Sequence, residues 1–492
     1  MKKLSKILLI VLALLLSWII MTGILDYDPI IYKYNPFFVA GGTAILMLVE
    51  LVIYKKIIDK IKNTKIFTII CLSIFSLLCV IFGIVFKVNP SWDMGCVYEM
   101  AQDWANTGTY QNNYIYMYPN NVAITIMYMI IFKVMHVIFK ISNYINVATV
   151  FNSLIVATSG ILLNNISKEF LNEKNRKMLL LNLICMTPFY MYSSIYYSDT
   201  LSIFISLLIM QFFLWGIKSK KKAKKCIFFI LCGLTIAFGF NIKITSVFIV
   251  VAALVYSILN FKEVKSKVEF KKMIIPVFIG IVIFTILFKL IVNIKFLNDK
   301  EKIDKNKIPY EHWVVLGLNG NGGYNQEIVK NIIKFQTYND KKQEAKRIIK
   351  EEISEYDSNT FVKHITKKLK YAWSDGTYFA PEKLRREPVK ENFMHELVLA
   401  SGKYNKFYKY IPQIMHFSML IYTLIYLINI IKSNNFKSND VLLYILIFGF
   451  IVFFMIWENR SRYIITVVPM IMILKQKGIE ILSRKGTLNE KN

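Results

Sequence analysis

Apolar runs long enough to cross a bilayer recur along almost the whole chain, separated by short turns rich in lysine. A run of about 20 apolar residues spans the hydrocarbon as a helix, where every backbone N–H and C=O must be paired within the segment. Composition agrees: 55% of the 492 residues are hydrophobic, including 36 Phe and 29 Tyr, and the mean hydropathy is +0.44. The expected fold is an all-α polytopic membrane protein. The net charge of +29 would suggest nucleic acid in a soluble chain. Here the cations sit in turns between spans, the pattern of cytoplasmic loops attracted to anionic lipid. Membrane lipids are therefore expected partners and nucleic acid is not.

Charge also sets the topology. Spans are expected over about 7–24, 37–54 and 66–86, with Lys55, Lys56, Lys60, Lys62 and Lys65 in a cytoplasmic turn and Asp26, Asp28 and Pro29 in an outer one. The start of the chain, Met1-Lys2-Lys3 before an apolar run, imitates a signal peptide. The run is too long and lacks an Ala-x-Ala cleavage pattern, so it reads as an uncleaved first span. Segment 121–139 is ambiguous, being apolar but interrupted by Lys133 and His136. If it crossed, the turns with Lys168, Lys174, Arg176 and Lys177 and with Lys218 to Lys225 would lie outside, against the positive-inside rule. Residues 102–140 are therefore expected as juxtamembrane or re-entrant helices on the outer face. Further spans follow at 147–163, 178–194, 201–217, 227–240, 244–259 and 274–291, with Lys262, Lys265, Lys267, Lys271 and Lys272 in a cytoplasmic turn. Residues 292–410 are hydrophilic, mixed in charge and too long for a plain loop, which predicts a small external domain. Spans at 411–431, 441–457 and 463–482 close the chain, for about twelve in all. The expected division is 1–65, two extra N-terminal helices; 66–291, a core with its first outer loop at 88–145; 292–410, the external domain; 411–482, three C-terminal helices; and 483–492, a cytoplasmic tail. No internal repeat is evident.

Chemistry concentrates in that first outer loop. Between Val88 and Tyr118 there is no Lys or Arg, but there are three carboxylates, Asp93, Glu99 and Asp103, amid Trp and Tyr. Asp93 has two readings. It could deprotonate a hydroxyl or align a divalent cation, or it could cap a helix beginning at Met94. Glu99 and Asp103 would share one face of that helix and are mainly structural on that geometry.

Elsewhere, Lys243, Arg460 and Arg462 stand at expected outer boundaries. They could reach for headgroups or clamp a lipid-linked phosphate, with Glu458 pre-organising the arginines. Asp199, in Tyr196-Tyr197-Ser198-Asp199, could cap the helix that follows it. The stretch Gly317 to Asn325 is turn chemistry or a substrate-facing loop. Six Cys and five His show no metal or disulfide spacing, so no metal-ligand set is assigned. There is no Walker or dinucleotide fingerprint.

An acidic loop after an early span, Tyr118-Pro119 opening a juxtamembrane helix, the Tyr-Tyr-Ser-Asp junction, and Arg460-Ser461-Arg462-Tyr463 with Pro469 in the last span together resemble the GT-C integral-membrane glycosyltransferases, nearest to the protein O-mannosyltransferase-like family 39 and the lipid A aminoarabinose transferases. The resemblance covers about 66–482. It implies a GT-C fold with outer-face juxtamembrane helices in a bacterial cell membrane, both termini cytoplasmic and the active site outside. It implies a polyprenyl-phosphate sugar donor and an extracytoplasmic glycan, lipid or protein acceptor. Asp93 would be the base, Glu99 the second choice, and Lys243, Arg460 and Arg462, with Tyr118 and Asp199, the substrate contacts. No cofactor is required beyond an optional divalent cation. Two departures stand out: Met94 follows Asp93 where the family often has a second acid, and two extra spans precede the catalytic one. A transporter or flippase would show paired halves with broken helices, which the sequence lacks. An O-antigen polymerase or ligase would place its large outer loop late, which 292–410 partly matches. A non-catalytic assembly partner would tolerate Asp93→Asn.

Overall fold

The computed structural model describes residues 2–25, 33–259, 267–385, 388–436 and 439–488. The turn with Asp26, Asp28 and Pro29, the lysines Lys262 and Lys265, and tail residues 489–492 lie outside the described residues. Among those described, the regular structure is helical, with one isolated antiparallel bridge between Val88 and Pro388.

The first helices are α1 (Lys2–Leu25), α2 (Pro36–Val52) and α3 (Thr64–Val85). Asn35 and Asn63 cap α2 and α3 by accepting from Phe37 N and Ile66 N. Then come α4 (Trp92–Thr107), α5 (Tyr114–Met117), α6 (Val122–Phe139) and α7 (Tyr144–Ser167). The expected span 178–194 is not one helix. It is split into α8 (Glu173–Cys185) and α9 (Thr187–Tyr192), because Pro188 opens α9 and cannot continue the helix before it. The helices α10 (Ser198–Lys218), α11 (Lys222–Ile242), α12 (Phe248–Leu259) and α13 (Lys267–Ile291) complete this half. Helices α11 and α13 run side by side, Phe238 against Phe284, and a Cβ on Gly233 would sit 2.0 Å from the Val277 carbonyl. Glycine there lets the two backbones touch.

The hydrophilic stretch holds α14 (Lys300–Asn306), α15 (Glu311–Leu318), α16 (Gln326–Ile333), α17 (Tyr338–Ser354), α18 (Ser358–Trp373), α19 (Ala380–Leu384), α20 (Phe393–Val398) and α21 (Asn405–Tyr408). Val315, Ile332 and Ala345 form a small core there, but Trp373, Tyr378 and Leu384 are fully buried in the main core. The chain closes with α22 (Tyr410–Lys432), α23 (Asp440–Ile456) and α24 (Val468–Leu488). The last span begins later than its apolar pattern suggests. Pro469 is accommodated only in the first turn, so Ser461–Thr466 forms a 3-10 turn ahead of α24.

Among the described residues nine helices are long and apolar enough to cross a membrane, and α12 and α23 are shorter apolar helices. One of the nine candidates is Pro119–Phe139, and its neighbours decide what it does. Helices α3 and α7 are antiparallel, with Gly83 beside Ser153 and Phe75 beside Gly160. Where α3 ends and α7 begins, Lys87 Nζ donates to Asn146 Oδ1 at 2.5 Å. The chain thus leaves and re-enters the bundle at the same end, and residues 88–143 make no net crossing. Helices α4 and α6 run parallel: Tyr98 packs on Phe132, Lys133 Nζ donates to the Ala105 carbonyl, and Tyr144 OH bridges Asn106 and His136.

The lysine-rich turns gather at the opposite end. Lys174 pairs with Asp59 at 2.5 Å, Lys177 Nζ donates to the Ile61 carbonyl at 2.8 Å, and Lys218 pairs with Glu169. In the bundle, Lys475 of α24 pairs with Glu50 of α2 at 2.5 Å. Ser418 donates to the carboxylate at 2.9 Å, and the ammonium donates to Asn182 at 2.9 Å. Lys477 pairs with Asp440 at 2.9 Å.

Candidate active site

Asp93 lies in the first turn of α4. The helix begins at Trp92 with Ser91 as its N-cap, and no side chain makes a capping bond. The Asp93 carboxylate instead accepts from Tyr114 OH at 2.9 Å. Asn121 Nδ2 donates to that same hydroxyl at 2.6 Å, and Tyr197 OH donates to Asn121 Oδ1 at 3.0 Å. Trp92, just before Asp93, has φ +57°, a left-handed conformation that costs a large side chain about 1–3 kcal/mol.

Tyr197 leads into α10, whose first turn carries Asp199, 1% exposed. Asp199 does not cap this helix. Its carboxylate pairs with Lys243, the residue ending α11, and lies 3.5 Å from Arg462 Nη1. Arg462 Nη2 donates to Tyr463 OH at 3.1 Å, and Tyr463 OH donates to Glu458 Oε1 at 3.1 Å. The Lys243 ammonium sits 4.5 Å over the Tyr463 ring, and Lys383 lies 5.9 Å from the Tyr197 ring centre. One carboxylate therefore gathers cations from two helices and the last interhelical loop.

Burial pushes the Glu458 carboxyl above its usual range, with Arg462 and Tyr463 opposing. Burial works against the Arg462 charge, but Tyr463, Asp199 and Glu458 outweigh it and hold the guanidinium as a cation. Burial likewise lowers Lys243, with Asp199 opposing. Tyr118 packs on Tyr114 and Trp313, and burial followed by the Asp93 charge raises its hydroxyl.

Arg460 stands apart from Glu458. Its guanidinium stacks 4.5 Å from the Phe379 ring centre and 5.8 Å from that of Tyr371. Among the described residues the Nε of Arg460 and the Nε of Arg462 have no hydrogen-bond partner, so the loop presents unspent donors to the site. Tyr378 and Phe379 have φ +51° and +61°, placing a second strained segment beside the first. Asp375 holds that segment by accepting from Thr377 N, Phe379 N and Ser461 Oγ.

The glycine-rich stretch docks here as well. Lys368 is fully buried and donates to the carbonyls of Gly317 and Trp457, the latter at 3.0 Å. Asn459 N donates to the Gly322 carbonyl at 2.8 Å, and a Cβ on Gly322 would meet Lys368 Cε at 2.8 Å. Gly322 also has φ +80°, so glycine is required twice over. Burial lowers the Lys368 ammonium to about 7, with Glu458 opposing.

The structure thus forms two groups that meet at the Tyr197–Asp199 turn: Asp93 with its chain to Tyr197, beside which Tyr118 packs, and Asp199 with Lys243 and Arg462. Glu99 belongs to neither. Six residues along a helix turn it about 240° from Asp93, and it is exposed with Asp103 on the outer side of α4. The expected pairing of Glu458 with both arginines is replaced by a Tyr463 bridge to Arg462 alone. Sequence reasoning missed Tyr114, Asp375, Lys368 and Lys383, and gave no role to Asn121 or Tyr463. Only Asp375, in a Ser-Asp-Gly-Thr run typical of a tight turn, carries a local signal.

The model of a family described as "Conserved hypothetical integral membrane protein" matches residues 7–480. No curated protein matches the chain. Two similar solved structures are those of ArnT from Cupriavidus metallidurans. The form bound to undecaprenyl phosphate is 10% identical, with a TM-score of 0.37 over 84% of this chain and 77% of that one. The apo form is 10% identical, with a TM-score of 0.36 over 84% and 76%. Likeness at this level carries no argument about activity.

Proposed function

The chain belongs to the family of conserved hypothetical integral membrane proteins, and we propose that it is a GT-C-type glycosyltransferase. It moves a sugar from a polyprenyl-phosphate carrier to an acceptor hydroxyl, with Asp93 as general base. The observation that carries the reading is the hydrogen-bonded chain from Asp93 through Tyr114 and Asn121 to Tyr197, two residues before the Asp199 that gathers the cations Lys243 and Arg462. A base and an anion-stabilising cluster on one scaffold are the two parts a displacement at an anomeric carbon needs.

The acceptor oxygen attacks the anomeric carbon while Asp93 takes its proton. The carbon–oxygen bond to the phosphate breaks, and the polyprenyl phosphate leaves with the electron pair. Arg462, Arg460 and Lys243 stabilise that charge; the fork of arginine suits two phosphate oxygens. A single displacement inverts the sugar configuration. Tyr114 aims the base, and the strained Trp92 fixes the turn that carries it. With the lysine-rich turns on the cytoplasmic side, this end faces outward in a bacterial cell membrane.

The test is sugar transfer by the full-length protein in nanodiscs, given a panel of polyprenyl-phosphate sugars and membrane extract. Asp93→Asn is expected to lower transfer by about 10²–10⁴-fold while donor-dependent thermal stabilisation is kept. Equal transfer by both proteins would remove Asp93 from the reaction.

A further inference from the structure

A cleft of about 860 Å³ opens on the far side of the strap that aims the base. That volume lies within the ~300–1,000 Å³ usual for ligand sites. The strap runs from Gly108 to Tyr116. Tyr114 serves Asp93, while Gln111, Asn113 and Tyr116 line the cleft. The opposite wall is the π-helical turn Val292–Phe296 that continues α13. A π turn shifts side-chain direction and often marks a functional position. Here it turns Phe296 inward to stack on Tyr110 at 6.1 Å and leaves Lys295 exposed at the rim.

The lining is chemically distinctive. It holds the aromatic rings of Trp104, Tyr110 and Phe296, the side-chain amides of Gln111 and Asn113, and two lysines, Lys295 and Lys302, with no carboxylate. Among the described residues the Gln111 and Asn113 amides and the Lys295 ammonium have no partner. Lys302 lies 3.7 Å from the half-buried Asp299 and 5.7 Å from the Tyr116 ring centre. Flat rings match the apolar faces of sugar rings, amides match hydroxyls, and ammonium groups match phosphate or carboxylate. Ile130 and Ile291, both exposed, carry the cleft down to the apolar surface of α6 and α13. The site therefore stands at the expected membrane boundary.

We propose that this cleft binds the acceptor, and that the acceptor is an anionic glycan bearing phosphate or carboxylate along its sugar chain. Its role as the acceptor site rests on the transfer reaction proposed above; its affinity for an anionic glycan does not. The strap links cleft and base, since Tyr114 holds Asp93 while its neighbours Asn113 and Tyr116 line the cleft.

The test is binding to the full-length protein in phosphatidylcholine nanodiscs, read by fluorescence quenching of Trp104. The probes are low-mass dextran sulfate, neutral dextran of equal size and polyglutamate. Lys295→Gln with Lys302→Gln is expected to weaken dextran sulfate binding about tenfold, the loss of two charge-assisted contacts. Lys221→Gln with Lys222→Gln, an equal charge loss at the other end, is expected to leave it unchanged. Neutral dextran is expected to bind more weakly than dextran sulfate. Equal loss in both double variants would overturn the proposal, as would polyglutamate binding as tightly as dextran sulfate with the same dependence on Lys295 and Lys302. Asp93→Asn is expected to bind dextran sulfate like the wild type, so failure of the transfer reading leaves this result standing.

Discussion

Lys368 shows how much one buried side chain organises. Its ammonium joins the carbonyls of Gly317 and Trp457, and so fastens the glycine-rich stretch to the loop bearing Glu458, Arg460 and Arg462. Burial lowers it to about 7 in the folded protein, against 10.5 ordinarily. Between about pH 7 and 10.5 the unfolded chain then binds more protons than the folded one, and stability rises with pH across that window. Below about 7 both states are charged and the cost of the buried cation is fully present. Thermal unfolding from pH 6 to pH 9 should therefore show a rising Tm whose slope is smaller in Lys368→Met. Identical slopes would mean that Lys368 stays charged throughout. Nothing in the sequence marks this residue among 61 basic side chains, because its partners are backbone carbonyls distant in the chain. Asp93 was legible for the opposite reason. It is an acid in a stretch free of lysine, where the composition itself is the signal.

At the level of elements, the apolar runs gave the helices, and punctuation gave their limits only in part. Pro188 and Pro469 were readable as residues, but each run of apolar sequence passes straight through them, so hydropathy joins what the backbone divides. Glu50 and Lys475 were hidden for the same reason: single charges inside long spans do not break an apolar average. The structure pairs them across α2 and α24, with Ser418 and Asn182 satisfying the remaining groups. Lys475→Met leaves the Glu50 carboxylate buried without its cation, and the expected loss is about 3–5 kcal/mol. Adding Glu50→Leu should recover much of it, since an apolar pair needs no counter-charge there. Thermal unfolding in detergent measures both. A Lys475→Met protein as stable as the wild type would show that the pair does not hold α2 against α24.

The whole molecule is polarised along the bundle axis. One end collects the lysine turns, with Lys174 on Asp59 and Lys218 on Glu169; the other collects Asp93, Asp199, Lys243, Arg462 and the docked part of the hydrophilic stretch. Charge parity along the sequence already implied this separation, because a membrane sorts short loops by their cations. It could not show that residues 369–384 enter the main core, since burial there depends on partners brought by α1, α9 and α23. The polarity makes α6 the decisive element. Although long and apolar enough to cross, it runs parallel to α4 and lies between two chain passages at the same end. Asn120 and Lys140, both exposed, bracket it. In a cysteine-free background, Asn120→Cys and Lys140→Cys should both react with a membrane-impermeant maleimide applied to intact cells, and Lys221→Cys should react only after permeabilisation. Labelling of Asn120→Cys alone would make α6 a true crossing, place the 168–177 turn outside, and undo the arrangement in which Asp93 and the cation cluster share one face of the membrane.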